Sequence, residues 1–427
     1  MEEWKSYKLC EICDLIPGFA FKSADFGDYS TKAIKIGDIQ PPYVNRASMS
    51  GVNIEVYDKN KISKFLVKRG DFVLAMTGAT IGKIGRYIDQ EPAYLNQRVL
   101  LFRPNGDVNP KFVYYSLLSP LFQKYVINHI DSETAQPNIS GRSVSGYEIA
   151  LPSRKEQDRI ASILSTIDDK IELNNRINHN LEEQAKALYK SWFVDFEPFK
   201  DCEFIDSELG LIPSGWHVGT ISELISDTFN GDWGKDESTG VFTKRVFCIR
   251  GADIPSIRVG NSGKMPIRYI QEKHFMSKYL KNDDLVIEIS GGSPTQSTGR
   301  FCRITDDLIE RYDHSLVCTN FCKAIRPTEG CSLFLSYLWN ELYEKGTMFS
   351  FENGTTGIKN LDLSGLIEGE PVIIPDKHSI QLFSITVSAL NEQIVFNGHE
   401  NEKLGEQRDL MLPKLMSGEL LSNNIDC

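Results

Sequence analysis

The sequence predicts an α+β protein made of two pseudo-symmetric α/β globular domains joined by two long helices, taken as an antiparallel coiled coil. Three observations predict this. Apolar or small residues recur at alternating steps of four and three from Ile160 through Leu164, Ile167, Ile171, Asn174, Asn178, Leu181, Ala185 and Leu188 to Trp192. The same steps run from Phe383 through Val387, Leu390, Ile394, Asn397, Asn401, Leu404, Arg408 and Met411 to Leu415, always 223 positions later. Short motifs outside these stretches also repeat in order. The heptad spacing is that of a coiled-coil seam, and a register shared down to its polar exceptions marks an internal duplication.

Five segments follow in order. The first globular domain is residues 1–152 and opens with Trp4. The first long helix is 153–194, with Ser153 as N-cap and Glu156 completing a capping box. An acidic linker, 195–208, carries six Asp or Glu against one Lys. The second globular domain is 209–375, entered through Ile212, Pro213 and Trp216, and the second helix and tail are 376–427, with Asp376 as N-cap. IKIGDI (34–39) parallels CIRGADI (248–254), and RGDFVLAMTG (69–78) parallels NDDLVIEISG (282–291). GRY (85–87) is set against GRF (299–301), FRP (102–104) against IRP (325–327), and NISGRSVSG (138–146) against GIKNLDLSG (357–365). At about 1.5 Å per residue each long helix is roughly 60 Å in length. Antiparallel pairing brings Asn174 level with Asn401 and Asn178 with Asn397. A one-heptad slip would strand these amides at about 1–3 kcal/mol each. A parallel pairing also matches Asn to Asn, so the sequence determines register more firmly than direction.

Composition narrows the function. The chain has 427 residues, 41% hydrophobic and 25% charged, with a net charge of −11, which is ordinary for a globular protein. No apolar run approaches the roughly 18 residues of a membrane span. The start, MEEWKSYKLCE, is acidic and unlike a secretory signal. The nine scattered cysteines fit a reducing cytoplasm, the expected location. The acidic total argues against a nucleic-acid partner, but residues 1–150 hold 18 Lys or Arg against 16 Asp or Glu, so a neutral-to-basic face fits there.

Motifs of catalysis fail on detail. IQPPY (39–43) puts Gln40 where an amino-methyltransferase needs Asn or Asp, and reads as a turn. GATIGKIG (78–85) has three residues between its glycines and Ile84 after Lys83, so it lacks the spacing and the Ser or Thr of a nucleotide loop. It fits a glycine turn that meets a DNA phosphate through backbone N–H groups, with Thr77, Gly78, Thr80, Lys83 and Arg86 alongside. Cys10 with Cys13, and Cys318 with Cys322, lack the further spacing of a zinc site. Asp284 and Glu288 lack the lysine of a nuclease centre, and His314-Ser315 near Asp313 is too thin for a hydrolase triad. No catalytic or metal site is expected. Base reading needs paired donors and acceptors. Candidates are Asn96, Gln97, Arg98, Gln136, Asn138 and Arg142 in the first domain, and Gln296, Thr298, Arg300, Lys359 and Asn360 in the second. Trp192, Phe193, Phe196 and Phe199 combine aromatic anchors with the acidic linker, a composition suited to a subunit interface.

Three segments carry a family resemblance. PSRKEQDRIASILSTIDDKIELNN (152–175), LEEQAKALYKSWFVDFEPF (181–199) and LGLIPSGWHV (209–218) resemble the specificity subunit of type I restriction–modification enzymes. The helix start matches at Pro152, Glu156, Gln157 and Ile160, and TGATIGKIG (77–85) and QPNIS (136–140) resemble recurring segments of the target-recognition domains. In the second half ISGGSPTQSTGR (289–300) is looser, and Ser379-Ile380-Gln381 replaces the expected helix start. The resemblance implies a non-catalytic DNA-binding subunit. Each globular domain would be a target-recognition domain reading half of a split, asymmetric target, with the helical rod setting the gap. Two methylation subunits and restriction/translocase subunits would be partners, and these would use S-adenosylmethionine, ATP and magnesium, with no cofactor held by this chain. The alternative is a scaffold whose two lobes bind protein or peptide.

Overall fold

Two short antiparallel ladders, Lys5–Lys8 with Glu148–Leu151 and His217–Thr220 with Pro371–Ile374, tie the first strand of each lobe to its last. The computed structural model describes residues 4–130, 137–291, 296–354 and 358–420. The chain divides into two compact units. One combines residues up to Asp169 with those from Gly405; the other is Lys170–Leu404. Each long helix crosses this division, so each unit owns one lobe and part of both helices.

The strand plan occurs twice. In the first lobe Cys13–Pro17, Val99–Pro104, Phe72–Ala75 and Ile84–Arg86 are neighbours in that order, extended by Tyr43–Val44 and Ile39–Gln40. In the second, Ile225–Asn230, Cys322–Pro327, Leu285–Glu288 and Phe301–Arg303 stand in the same order. A parallel pair accompanies each, Phe26–Ile34 with Ala93–Leu95 and Phe242–Ile249 with Leu316–Cys318. The central strands FVLA and LVIE are buried at every residue, as strands covered on both faces should be. Helices Pro110–Leu118 and Ser332–Glu344 cover them. Small polar signatures repeat too. Lys35 N and Arg250 N donate to Asp38 and Asp253 three residues on. Asp71 and Asp284, which cap the turns before the central strands, are paired with Arg103 and Arg326 from the FRP and IRP motifs.

The ladders correct one detail of the predicted repeat. Gly85 pairs with Val73 where Cys302 pairs with Val286, so GRY aligns with Cys302-Arg303-Ile304. The GRF tripeptide lies three residues earlier, and its Arg300 is the counterpart of Lys83: Ala75 N donates to Lys83 O as Glu288 N donates to Arg300 O. The chain is four residues longer between Ile289 and Gly299 than between Met76 and Gly82, which displaces the lookalike.

The long helices are Arg154–Phe193 and Lys377–Met416. Asp376 caps the second by accepting from Ser379 N and Ser379 Oγ. Their direction is antiparallel. In the second unit Asn174 Nδ2 donates to Asn401 Oδ1 at 2.9 Å, and Asn397 Nδ2 to Asn178 Oδ1 at 2.8 Å. Asn178 Nδ2 also reaches the Ile394 carbonyl, and Asn401 Nδ2 reaches Asn175. The buried amides of Asn174, Asn178 and Asn397 thus find partners across the seam. In the first unit the seam residue Arg408 meets Asp168 at 2.8 Å, and the other Asp168 oxygen accepts from the Tyr115 hydroxyl at 2.7 Å. That network ties both helices to the lobe.

The helices are also part of the lobes' cores. Ile160, Leu164, Leu412 and Leu415 are buried with Leu74, Phe102 and Phe112. Ala185, Tyr189, Phe193, Phe383 and Val387 are buried with Trp216, Leu285, Phe334 and Trp339. Mid-helix Gly398 has a steric reason: a Cβ there would stand 1.9 Å from the Val259 carbonyl oxygen. The roughly 1 kcal/mol of helix propensity forgone by Gly is outweighed by that approach. Glu402, one turn on, receives Ser262 and Arg311 from the lobe.

Arg408→Met should be strongly destabilising, because it leaves Asp168, 5% exposed, charged and unpaired. The expected cost is about 3–5 kcal/mol in urea unfolding at neutral pH, largely recovered by adding Asp168→Asn. A single-variant loss below about 1 kcal/mol would place the pair among solvent-screened surface bridges.

Candidate nucleic-acid interface

The first lobe gathers most of its candidate residues through backbone ladders. Met76, at the end of the central strand, donates its N–H to Arg98 O and accepts from Ile139 N, both at 2.9 Å. Thr77 bridges to Asn138, and Thr77 Oγ1 donates to Pro137 O at 3.0 Å. Arg98 Nη1 donates to Asn138 Oδ1 at 3.2 Å. Asn96 is locked on the other side, since its N–H donates to Ile34 O and a Cβ on Gly18 would lie 1.9 Å from its carbonyl. Gln97, Arg98, Lys83 and Arg142 are exposed, whereas Thr77 and Asn96 are buried. Thr77, Arg98 and Asn138 thus form one polar patch at the end of the main sheet, with Asn96 facing Ile34 and Gly18 instead, and Arg142 follows on the short helix Gly141–Ser145. Gln136 lies outside the described residues.

Two expectations for this lobe change. The N–H groups of Gly78, Ile81, Gly82 and Lys83 all donate to backbone carbonyls, so the glycine turn is not an open cradle for phosphate. A turn that closes on itself needs the positive φ of Gly78 and Gly82, +74° and +81°. Arg86 belongs elsewhere. It pairs with Asp169 on the first long helix at 3.8 Å and lies over the Tyr43 ring. IQPPY is a turn between Ile39–Gln40 and Tyr43–Val44, with Gln40 accepting from Asn45 Nδ2.

The second lobe has the same frame and different occupancy. Ile289, the counterpart of Met76, donates to Phe321 O and accepts from Leu361 N. Three candidates there are engaged inside the protein. Arg300 forms a two-pronged pair with Glu288 at 2.7 and 2.8 Å. Thr298 is fully buried, and its N–H and hydroxyl both donate to Glu352 Oε1. Lys359 reaches the other Glu352 oxygen at 2.8 Å. Gln296 and Asn360 remain exposed, and Asn360 pairs with Ser290 and Asn353 in a three-stranded patch. Burial pushes the Glu352 carboxyl up, but the Lys359 ammonium and the Thr298 and Ser297 donors outweigh it and hold the group below the ordinary carboxylate range.

The linker aromatics are packed within the second lobe. Phe193 is buried against Phe334 and Phe383, and Phe196 and Phe199 stack edge-on against Trp216. Trp192 lies half-buried against Phe383. The aromatics expected at a subunit interface are thus engaged within the chain, and removal of Trp192 and Phe193 would open this core. Asp284 and Glu288 are neutralised by Arg326 and Arg300, and among the described residues no group of three His, Cys, Asp or Glu is placed to hold a metal ion. Also among them, no helix is long and apolar enough to cross a membrane.

Residues 1–183 match the family model described as the type I restriction modification DNA specificity domain. The type I restriction enzyme MjaIX specificity subunit of Methanocaldococcus jannaschii is 28% identical over 368 residues, 82% of this chain and 77% of that protein. The HindI specificity subunit of Haemophilus influenzae is 24% identical over 491 residues, 98% of this chain and all of that protein. The crystal structure of a type I restriction–modification S subunit from M. genitalium shares the fold, with a TM-score of 0.54 at 16% identity over 96% of each chain.

Glu352 yields a pH prediction. Its folded pKa is depressed, so its contribution is full at neutral pH and is lost as pH falls through that depressed value, below the ordinary 4.5. Amide exchange at Thr298 and Leu361 should rise in that acid window, relative to Leu74 in the first lobe. Glu352→Gln should abolish the difference; an unchanged profile in that variant would remove Glu352 as its source.

Proposed function

We propose that this chain, which is similar to the specificity subunits of type I restriction–modification enzymes, reads DNA sequence for such an enzyme without being a catalyst itself. The observation that carries this reading is the repeated frame at the sheet ends. Two equivalent sites, built on the same ladders, present different side chains, as two readers of an asymmetric bipartite target require. Exposed Arg98, Gln97 and Arg142 supply donors in the first lobe, and Gln296 and Asn360 in the second. The helices act as spacer, and the whole chain is a scaffold for two methylation subunits and for restriction/translocase subunits. S-adenosylmethionine, ATP and magnesium are the business of those partners.

The purified chain alone should show no methyl transfer, DNA cleavage or ATP hydrolysis. Co-expressed with its methylation subunits, it should direct methylation to one split sequence, mapped by methylation-sensitive genome sequencing. Methyl transfer by the chain without partners overturns the reading.

The spacer role has its own test. Seven residues inserted between Ile171 and Asn174 keep the seam phase and add about 10 Å, or about three base pairs of DNA. They also shift Asn174 and Asn178 off their partners, so stability should fall. A matching heptad between Asn401 and Leu404 should realign the amides and restore it. The doubly extended chain should methylate the same half-sites across a longer gap; an unchanged gap would show that the helices do not set it.

A further inference from the structure

We infer that Arg98 and Phe321 are equivalent base-contacting residues of the two lobes, Arg98 donating hydrogen bonds to a guanine edge and Phe321 packing on the 5-methyl group of a thymine. The two halves of the target are then read by different chemistry at one position of a repeated frame. This rests on the DNA-reading function proposed above.

The equivalence is set by the backbone. Arg98 O accepts from Met76 N at 2.9 Å, and Met76 O accepts from Ile139 N at 2.9 Å. Phe321 O accepts from Ile289 N at 3.0 Å, and Ile289 O accepts from Leu361 N at 2.8 Å. The residues two places earlier agree as well: the carbonyls of Asn96 and Thr319 are each approached by a glycine, Gly18 and Gly231, too closely for any Cβ. Each tip is thus fixed before a ligand arrives, which lowers the ordering cost of binding. Arg98 holds a φ of +69°, a strained conformation for a side-chain-bearing residue, and its guanidinium is oriented by Asn138.

The two tips differ in chemistry. Around Arg98 stand Gln97 and Asn138, polar throughout. Phe321 is 61% exposed, and the second lobe also exposes Ile358 and Phe349, the latter under the Lys359 ammonium at 4.6 Å. A large ring held in water on a rigid ladder gains free energy only when an apolar group covers it. In the major groove the apolar group on a base edge is the thymine methyl, and an arginine fork matches guanine O6 and N7.

The test uses the full chain assembled with its methylation subunits on its mapped target. Each thymine of the half-site that Phe321→Ala disturbs is replaced in turn by uracil, which lacks the methyl group. Each guanine of the half-site that Arg98→Ala disturbs is replaced by 7-deazaguanine, which lacks N7. One uracil should weaken binding of the unaltered complex about fourfold and leave the Phe321→Ala complex indifferent. One 7-deazaguanine should weaken it about tenfold and leave Arg98→Ala indifferent. Crossed combinations should be additive. Tight, specific binding with analogue effects unchanged by these substitutions overturns the inference while the DNA-reading function stands, as does a half-site lacking thymine or guanine where required. A complex with no sequence-specific binding removes both. Both side chains are exposed, so the variants should keep the unaltered melting temperature, which serves as the folding control.

Discussion

Two pairs of asparagines in a helical seam, three of the four buried, fix how the helices pair. An apolar seam alone tolerates slippage, because every heptad offers similar contacts. Amides do not, because each must find a partner once water is excluded. With Asn174 against Asn401 and Asn178 against Asn397, direction and register are specified at once. The ion pair between Asp168 and Arg408 does the same for the other unit, since a shift by one heptad would leave the buried Asp168 carboxylate without its counter-charge. The lobes inherit this order, because residues from both helices complete their cores.

The seam was legible in the sequence because a heptad is a purely periodic signal, and because the exceptions repeated along with the rule. Asn174 and Asn178 carried the register, although either direction satisfied it until the hydrogen bonds showed the helices antiparallel. Repeated motifs bearing a local structural role were also legible: FRP and IRP place their arginines on matching capping aspartates. The GRY and GRF match misled, because a few shared letters next to a segment of different length say little about ladder register.

The candidate site was legible in outline only. Polar loop residues that suit base edges are the same types that neutralise buried carboxylates, and nothing in Arg300, Thr298 or Lys359 reveals that Glu288 and Glu352 wait opposite them. Conversely, Phe321 went unnoticed since it offers no hydrogen bond, and only its position on the ladder equates it with Arg98. The linker aromatics show a related ambiguity. Trp192, Phe193, Phe196 and Phe199 have the composition of an interface, and the surface they meet is the chain's own second lobe.

The long helices also impose a timetable on folding. The first lobe is synthesised first, yet its core includes Leu412 and Leu415 near the end of the second helix. The second lobe's apolar core is complete with Leu390, and its further contacts with the helix end at Glu402, before those two leucines. On a ribosome the later lobe can therefore close its core before the earlier one, which must wait with Leu74, Phe102 and Phe112 incompletely covered while most of the chain is made. Chains of this kind cannot use the usual order, in which an N-terminal domain folds as a unit ahead of the rest. The interval exposes a β-rich, apolar half-core, and rare codons or pauses in the second half of the message would lengthen it.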